Sequence, residues 1–249
     1  MDGTLVRGRS LIPGAADFLR AAYAAGKRVI ILTDNSTASR QSIADCLAVS
    51  GAPVDAGHVV TSSSVVALEL SRLAECGRIH AVGEGALLDE LRASGHTVVD
   101  GAPADAVVVG FTHAFNYRTL ATALPALLNG APLVATDEAP VYAAPEGVMP
   151  GAGSIVGAFR GMGFEPRWVA GKPNGIAVDR AFTLTGAPKE RVAVVGDSVT
   201  NDGGAADYLG VDFMLVLSGV STASDAAQMA NPPVHILRTL ADILSDGVR

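Results

Sequence analysis

A chain of 249 residues with 18 Lys and Arg against 25 Asp and Glu has a formal charge of −7, which excludes a nucleic-acid binder working by bulk positive charge. Its 49% hydrophobic and 17% charged residues supply apolar surface for a sizeable core and exclude wholesale disorder. Apolar runs such as Val107 to Phe111 and Val192 to Val195 are far shorter than the roughly 20 residues a bilayer demands, so no membrane span is expected.

Pro13-Gly14 opens and Gly26 closes a predicted helix over Ala15 to Ala25, and RVIILT, Arg28 to Thr33, predicts the first clear strand. A second helix is expected from about Ser39 to Val49. A middle section follows, with strands at Ile79 to Val82, Thr97 to Val99, Ala106 to Gly110 and Pro132 to Thr136. Its helices are expected at Ala86 to Ala93 and at Tyr117 to Leu128, the latter stopped by Asn129-Gly130. Further on, Val192 to Gly196 and Phe213 to Leu217 read as buried strands, separated by a polar loop and a helix near Gly203 to Leu209. Short runs that are apolar throughout, alternating with Ala-rich helical stretches, predict an α/β fold on a mainly parallel sheet covered on both faces. The middle section has the elements of a second α/β domain. Cys46 and Cys76 stand in no C-x-x-C spacing and are expected as reduced thiols; with no basic segment followed by an apolar one at Met1, a cytoplasmic protein is expected.

Polar clusters punctuate the strand ends, where open α/β sheets bind ligands. They are Asp2-Gly3-Thr4, Thr33-Asp34-Asn35-Ser36, Gly171-Lys172-Pro173-Asn174, and Gly196-Asp197 with Asp202. Carboxylates suit a hard cation such as Mg²⁺, while a hydroxyl, free backbone amides and a lysine suit a phosphate. Singly, each cluster has a plainer reading: Thr33 to Ser36 as a helix N-cap, Gly196-Asp197 as a strand-to-helix turn, Lys172 as a solvated surface lysine. Their order and their placement at strand ends favour the phosphate reading.

Taken together, DGTLVRG with IPGA, ILTDNSTAS, VGEGAL, ATDEAP, PGAGSI, GKPN, VVGDSVTND and LVLSGVST resemble, in order and over nearly the whole chain, the haloacid dehalogenase (HAD) superfamily of phosphatases. The match is to the p-nitrophenylphosphatase-like branch with a C2-type cap. The resemblance implies a Rossmann-like parallel-sheet core over 1–76 and 169–249, with an inserted α/β cap over 77–168. It implies a Mg²⁺-dependent phosphomonoesterase of a small phosphorylated metabolite, acting through an aspartyl-phosphate. Asp2 falls on the general acid and base of the D-x-D-G-T motif, Thr33 on the hydroxyl that binds the phosphoryl group, and Lys172 on the lysine that neutralises nucleophile and phosphate. Gly3, Asp34, Asn35, Lys172 and Asn174 would line the phosphate and substrate; Asp2, Asp197 and Asp202 would hold or support the ion. A homodimer through the cap is also implied.

The attacking Asp of that motif falls one place before Met1, as does the family's first strand. Two readings compete: a start placed about ten residues late, judged from usual strand and loop lengths, or a HAD-fold binding or interaction protein without catalysis. As written, the chain is expected to form no aspartyl-phosphate. Other departures bear on substrate: Asp34 and Asp137 stand where the branch usually has Asn, Ala139 where it has Asp, and Thr200 and Asn201 also differ. Pro150 to Ser154 reads as a glycine-rich turn into a helix, which either shapes the cap-core hinge or substrate entrance or is only a turn. His113, Phe115, Asn116 and Tyr117 read either as substrate contacts or as cap packing and surface. The other histidines, His58, His80, His96 and His235, have no metal-ligand spacing.

Overall fold

A computed structural model of the chain describes residues 1–8, 10–73, 77–144 and 147–245. The first block opens with a short antiparallel pair, β1 (Val6–Arg7) and β2 (Ser10–Leu11), and then α1 (Ala15–Ala24), which is stopped by Gly26 in the left-handed conformation. β3 (Ile31–Thr33) follows, then α2 (Arg40–Val49), whose Ser39 side chain accepts the Ser42 N–H as an N-cap. β4 (Val59–Thr61) pairs in parallel with β3 and runs directly into α3 (Ser62–Leu73), which buries Val65, Val66, Ala67 and Leu70.

The middle block contributes β5 (Arg78–Val82), α4 (Gly85–Ala93), β6 (Thr97–Val99), β7 (Ala106–Val109), α5 (Tyr117–Leu128) and β8 (Leu133–Ala135). It continues through a hairpin, β9 (Val141–Ala144) and β10 (Gly147–Pro150), to α6 (Ala152–Gly161) and β11 (Trp168–Val169). Five of these strands form one all-parallel sheet in the order β11-β8-β7-β5-β6. Along β7, Ala106 and Val108 turn to one side and pack with α3, α4, Ala177 and Ala181; Val107 and Val109 turn to the other and pack with α5 and α6. That is why the strand is apolar without alternation: both pleat faces are covered. Phe159 of α6 is fully buried in the second cluster. Phe159→Ala is expected to cost about 3–5 kcal/mol in a urea unfolding curve, through lost burial and the cavity left behind.

The last block holds α7 (Gly175–Thr185), β12 (Ala193–Gly196), α8 (Gly204–Leu209), β13 (Asp212–Val216), α9 (Ala223–Ala226), β14 (His235–Leu237) and α10 (Ala241–Ser245). β12, β13 and β14 form a second parallel sheet in that order. Among the described residues, no strand bonds the free edge of β3 or of β12. The strand expected over Arg28 to Thr33 accordingly has a ladder only over Ile31–Thr33. Likewise β12, expected to be buried on both faces, has Ala193 exposed and Val194 and Val195 half-buried. Among the described residues no helix is long and apolar enough to cross a membrane. Cys46, on α2, is half-buried and in no disulfide among the described residues, and Cys76 lies outside them.

Candidate functional site

Four polar segments converge where β3 and β12 end. Thr33, the last residue of β3, is buried and its Oγ1 accepts the Asn35 N–H at 3.2 Å. Asn35 Oδ1 in turn accepts the N–H groups of Thr37 and Ala38, an Asx turn that shapes the loop. Two serines at the start of α3 hold the same loop, Ser62 Oγ donating to Asp34 O at 2.7 Å and Ser63 Oγ to Ser36 O at 3.0 Å. In the segment before α7, the Lys172 N–H donates to Asp34 Oδ1 at 2.8 Å, and Asn174 Nδ2 closes the turn on Gly171 O at 3.0 Å. Asn35 and Asn174 thus organise their own loops.

Lys172 lies at the centre. Its Nζ is 2.7 Å from Asp202 Oδ1 and 3.9 Å from Asp34 Oδ2. Asp202 Oδ2 accepts the N–H groups of Asp197 and Ser198, both at 3.0 Å, so this carboxylate is fully engaged. Asp197 is placed differently: Thr4 Oγ1 donates to its Oδ1 at 2.7 Å and the Val220 N–H to its Oδ2 at 3.1 Å, with no cationic side chain among the described residues bonded to it. A Cβ at Gly219 would lie 1.8 Å from Asp197 Oδ2 and one at Gly3 2.3 Å, so two glycines keep space at that oxygen; Gly3 also has a φ of +77°.

Burial opposes the charge on Lys172, yet Asp202 and Asp34 beside it outweigh that and raise its pKa above the ordinary lysine value. Burial also opposes ionisation of Asp202, but Lys172 and the Met1 ammonium hold its carboxyl below the usual range. For Asp34 and Asp197 burial prevails, with the Asp202 charge adding to it, and both are raised. At Asp197 burial and the Asp202 charge outweigh the Met1 ammonium and the two hydrogen bonds, so its negative charge is incompletely compensated. Its carboxylate oxygens and the glycines that keep space beside Oδ2 fit a small hard cation such as Mg²⁺. Among the described residues no three carboxylate, imidazole or thiol groups enclose a point by themselves. A cation here would complete its shell with water or substrate oxygens, as Mg²⁺ ordinarily does.

The middle sheet presents the carboxyl ends of β7 and β8 to this site. The Phe111 N–H donates to Ser36 Oγ at 3.1 Å, and Asp137, following β8, is buried beside Gly171. Of the residues noted after β7, Phe115 packs into the core, Asn116 caps α5, and Tyr117 is exposed. His113 Nδ1 lies 2.8 Å from Glu84 Oε1; burial of Glu84 is outweighed by these hydrogen bonds and its pKa is lowered. The Pro150 to Ser154 turn opens α6, with Gly151 and Gly153 closely packed on the 138–139 backbone. Ser62, Ser63 and Gly219 were not among the expected site residues, and Thr4 stood in a polar cluster with no role of its own. The DGT, SSS and LSGV runs were the available signals, each of which reads locally as a turn or helix start.

Comparison with known proteins adds to this geometry. Residues 1–97 match the family model of haloacid dehalogenase-like hydrolases, and residues 169–243 match a second, HAD-hydrolase-like model. The chain is 30% identical over 243 residues to the ribonucleotide monophosphatase NagD of Escherichia coli, covering 98% of this chain and 95% of that one. Among solved structures it is similar to a 4-nitrophenylphosphatase from Thermotoga maritima, with TM-score 0.90, 34% identity, and coverage of 100% and 95%. It is also similar to a glycerol phosphate phosphatase from Mycobacterium tuberculosis in complex with magnesium, with TM-score 0.86, 32% identity, and coverage of 96% and 73%.

Proposed function

The chain belongs to the haloacid dehalogenase-like hydrolases, and from that premise we propose that it is a magnesium-dependent phosphomonoesterase of a small phosphorylated metabolite. The observation that carries this reading is Lys172, buried between Asp202 and Asp34 where the strand ends meet, with Asp197 close by and hydrogen-bonded to no cationic side chain among the described residues. Lys172 holds the phosphoryl group against the attacking carboxylate, and the Thr33 hydroxyl with the amides of the 34–35 loop binds its oxygens. Asp2 protonates the departing alkoxide and then takes a proton from the hydrolytic water. Asp197 and Asp2 hold the ion, with Asp202 behind them as the partner of Lys172; when bound, Mg²⁺ neutralises charge on the phosphoryl oxygens. Residues 77–168 form the cap, which brings Phe111 and Asp137 over the site and excludes water from it. The apolar side of α5, with Tyr117 84% and Leu128 70% exposed, supports a homodimer through that cap.

The nucleophile in this reading is an aspartate immediately upstream of Met1, at the end of a strand that lies between β3 and β12. The unbonded edges of those two strands support such a place, as do the half-buried Val194 and Val195. One more parallel strand would join both sheets in the order β4-β3-new strand-β12-β13-β14. The test is magnesium-dependent hydrolysis of p-nitrophenyl phosphate by a chain extended upstream through that aspartate. In the same background Gly219→Ala, whose added Cβ displaces Asp197, is expected to lower kcat/KM about 100-fold with the circular dichroism spectrum retained.

A further inference from the structure

Asp34 and Asp137 come from different sheets and meet at a single glycine. A Cβ placed on Gly171 would lie 2.7 Å from Asp34 Oδ1, 2.8 Å from Asp137 Cβ and 2.8 Å from Thr136 O. Asp137 is buried at 5% exposure and Asp34 is largely buried, with its side chain 16% exposed. They are engaged unequally. Asp34 accepts the Lys172 N–H and lies near Lys172 Nζ, with Asn201 Nδ2 3.5 Å from its Oδ2. Among the described residues Asp137 has only neutral hydrogen-bond partners: Thr136 Oγ1 donates to its Oδ2 at 3.2 Å and the Ala139 N–H to its Oδ1 at 3.1 Å.

We propose that Asp137 is a positioning residue: held as the neutral acid, it docks the end of the middle sheet on Asp34 and leaves Asp34 as the anion that fixes the Lys172 segment. The charged and titratable groups around it agree. From the loop after β3 it faces Asp34, and behind Asp34 stands Lys172, which favours charge on Asp34. On its own segment Glu138 is a second negative neighbour, itself paired with Arg160 of α6. Burial first, then the Asp34 charge, pushes the Asp137 carboxyl up to about 7. Loss of its proton sets two anions on either side of Gly171 and loosens the docking of the middle sheet next to Lys172.

The sign of the pH dependence follows from linkage. An unfolded Asp137 releases its proton near the ordinary value of 3.8 and the folded one near 7. The protonated form favours folding, fully below the lower value, and that advantage is lost as pH rises to the upper one. Asp137→Asn, isosteric and never charged, is expected to remove this part of the fall in unfolding midpoint between pH 4 and 7. The infrared difference between wild type and Asp137→Asn is expected to contain a protonated-carboxyl band at pH 5.5 that disappears with a midpoint near 7. Asp34→Asn is expected to lower that midpoint by about one pH unit or more. These readings need no turnover and so stand apart from the phosphatase reading. On that reading, in the extended chain, the alkaline fall of kcat/KM moves up by about one pH unit in Asp137→Asn. An ionised carboxylate in the difference spectrum at pH 5.5, or an unchanged unfolding profile in Asp137→Asn, overturns the proposal.

Discussion

A chain extended upstream through an aspartate immediately before Met1 is expected to hydrolyse p-nitrophenyl phosphate with Mg²⁺, on the order of 10⁴-fold or more faster than the chain beginning at Met1. Two carboxylates two positions apart on an extended segment point to the same side, so that aspartate and Asp2 would address one phosphoryl group. The same extension changes the electrostatics. The Met1 ammonium lowers the pKa of Asp34, Asp197 and Asp202. Extending the chain replaces that cation with a peptide bond and adds a carboxylate, so Mg²⁺ affinity by titration calorimetry is expected to rise. The unfolding midpoint is expected to rise as well, because the added strand satisfies the free edges of β3 and β12. An extended chain that binds Mg²⁺ and remains inert would favour a phosphate-metabolite binding protein on the same fold.

Lys172→Met is expected to lower kcat by about 10²- to 10⁴-fold in the extended chain and to destabilise the fold by about 3–5 kcal/mol at neutral pH. Lys172 and Asp202 side chains are each 8% exposed, so the methionine leaves Asp202 and Asp34 as buried charges without compensation. Linkage fixes how the loss varies with pH. Asp202 has a lowered carboxyl in the folded protein, so its stabilisation is present above the ordinary 3.8 and disappears as pH falls through the folded value. Without Lys172 the Asp202 carboxyl rises instead, and the protonated form becomes the one that favours folding. The variant is therefore expected to lie closer to wild type at pH 4 than at pH 7 in urea unfolding. An equal difference at both pH values would assign Lys172 to packing alone.

Local patterns in the sequence carry much of this architecture. α5 runs over the predicted Tyr117 to Leu128 because Asn116 and Thr119 form a capping box at its start and Asn129-Gly130 ends it. The middle-sheet strands were visible as apolar runs because helices cover both of their faces. α3 and β4 were not visible. A three-residue strand has too little pattern to register, and Ser62 to Ser64 resemble a loop until the Asp34 and Ser36 carbonyls are seen to bind two of them. The ladder of β3 is shorter than RVIILT implies because a strand's length depends on its neighbours as well as on its own residues.

The site divides in the same way. Which chemistry is present follows from residue type and short spacing alone, as with the carboxylates, the threonine hydroxyl and the one lysine at strand ends. The tertiary structure decided how they are paired. Lys172 bonds Asp202, 30 positions away, with its ammonium and Asp34, 138 positions away, with its backbone N–H. It alone placed Asp137 beside Asp34 and opened the space at Asp197 with Gly219. The physical reason is that desolvation and charge coupling depend on everything that packs around a group, and those neighbours are brought together only by the closed fold.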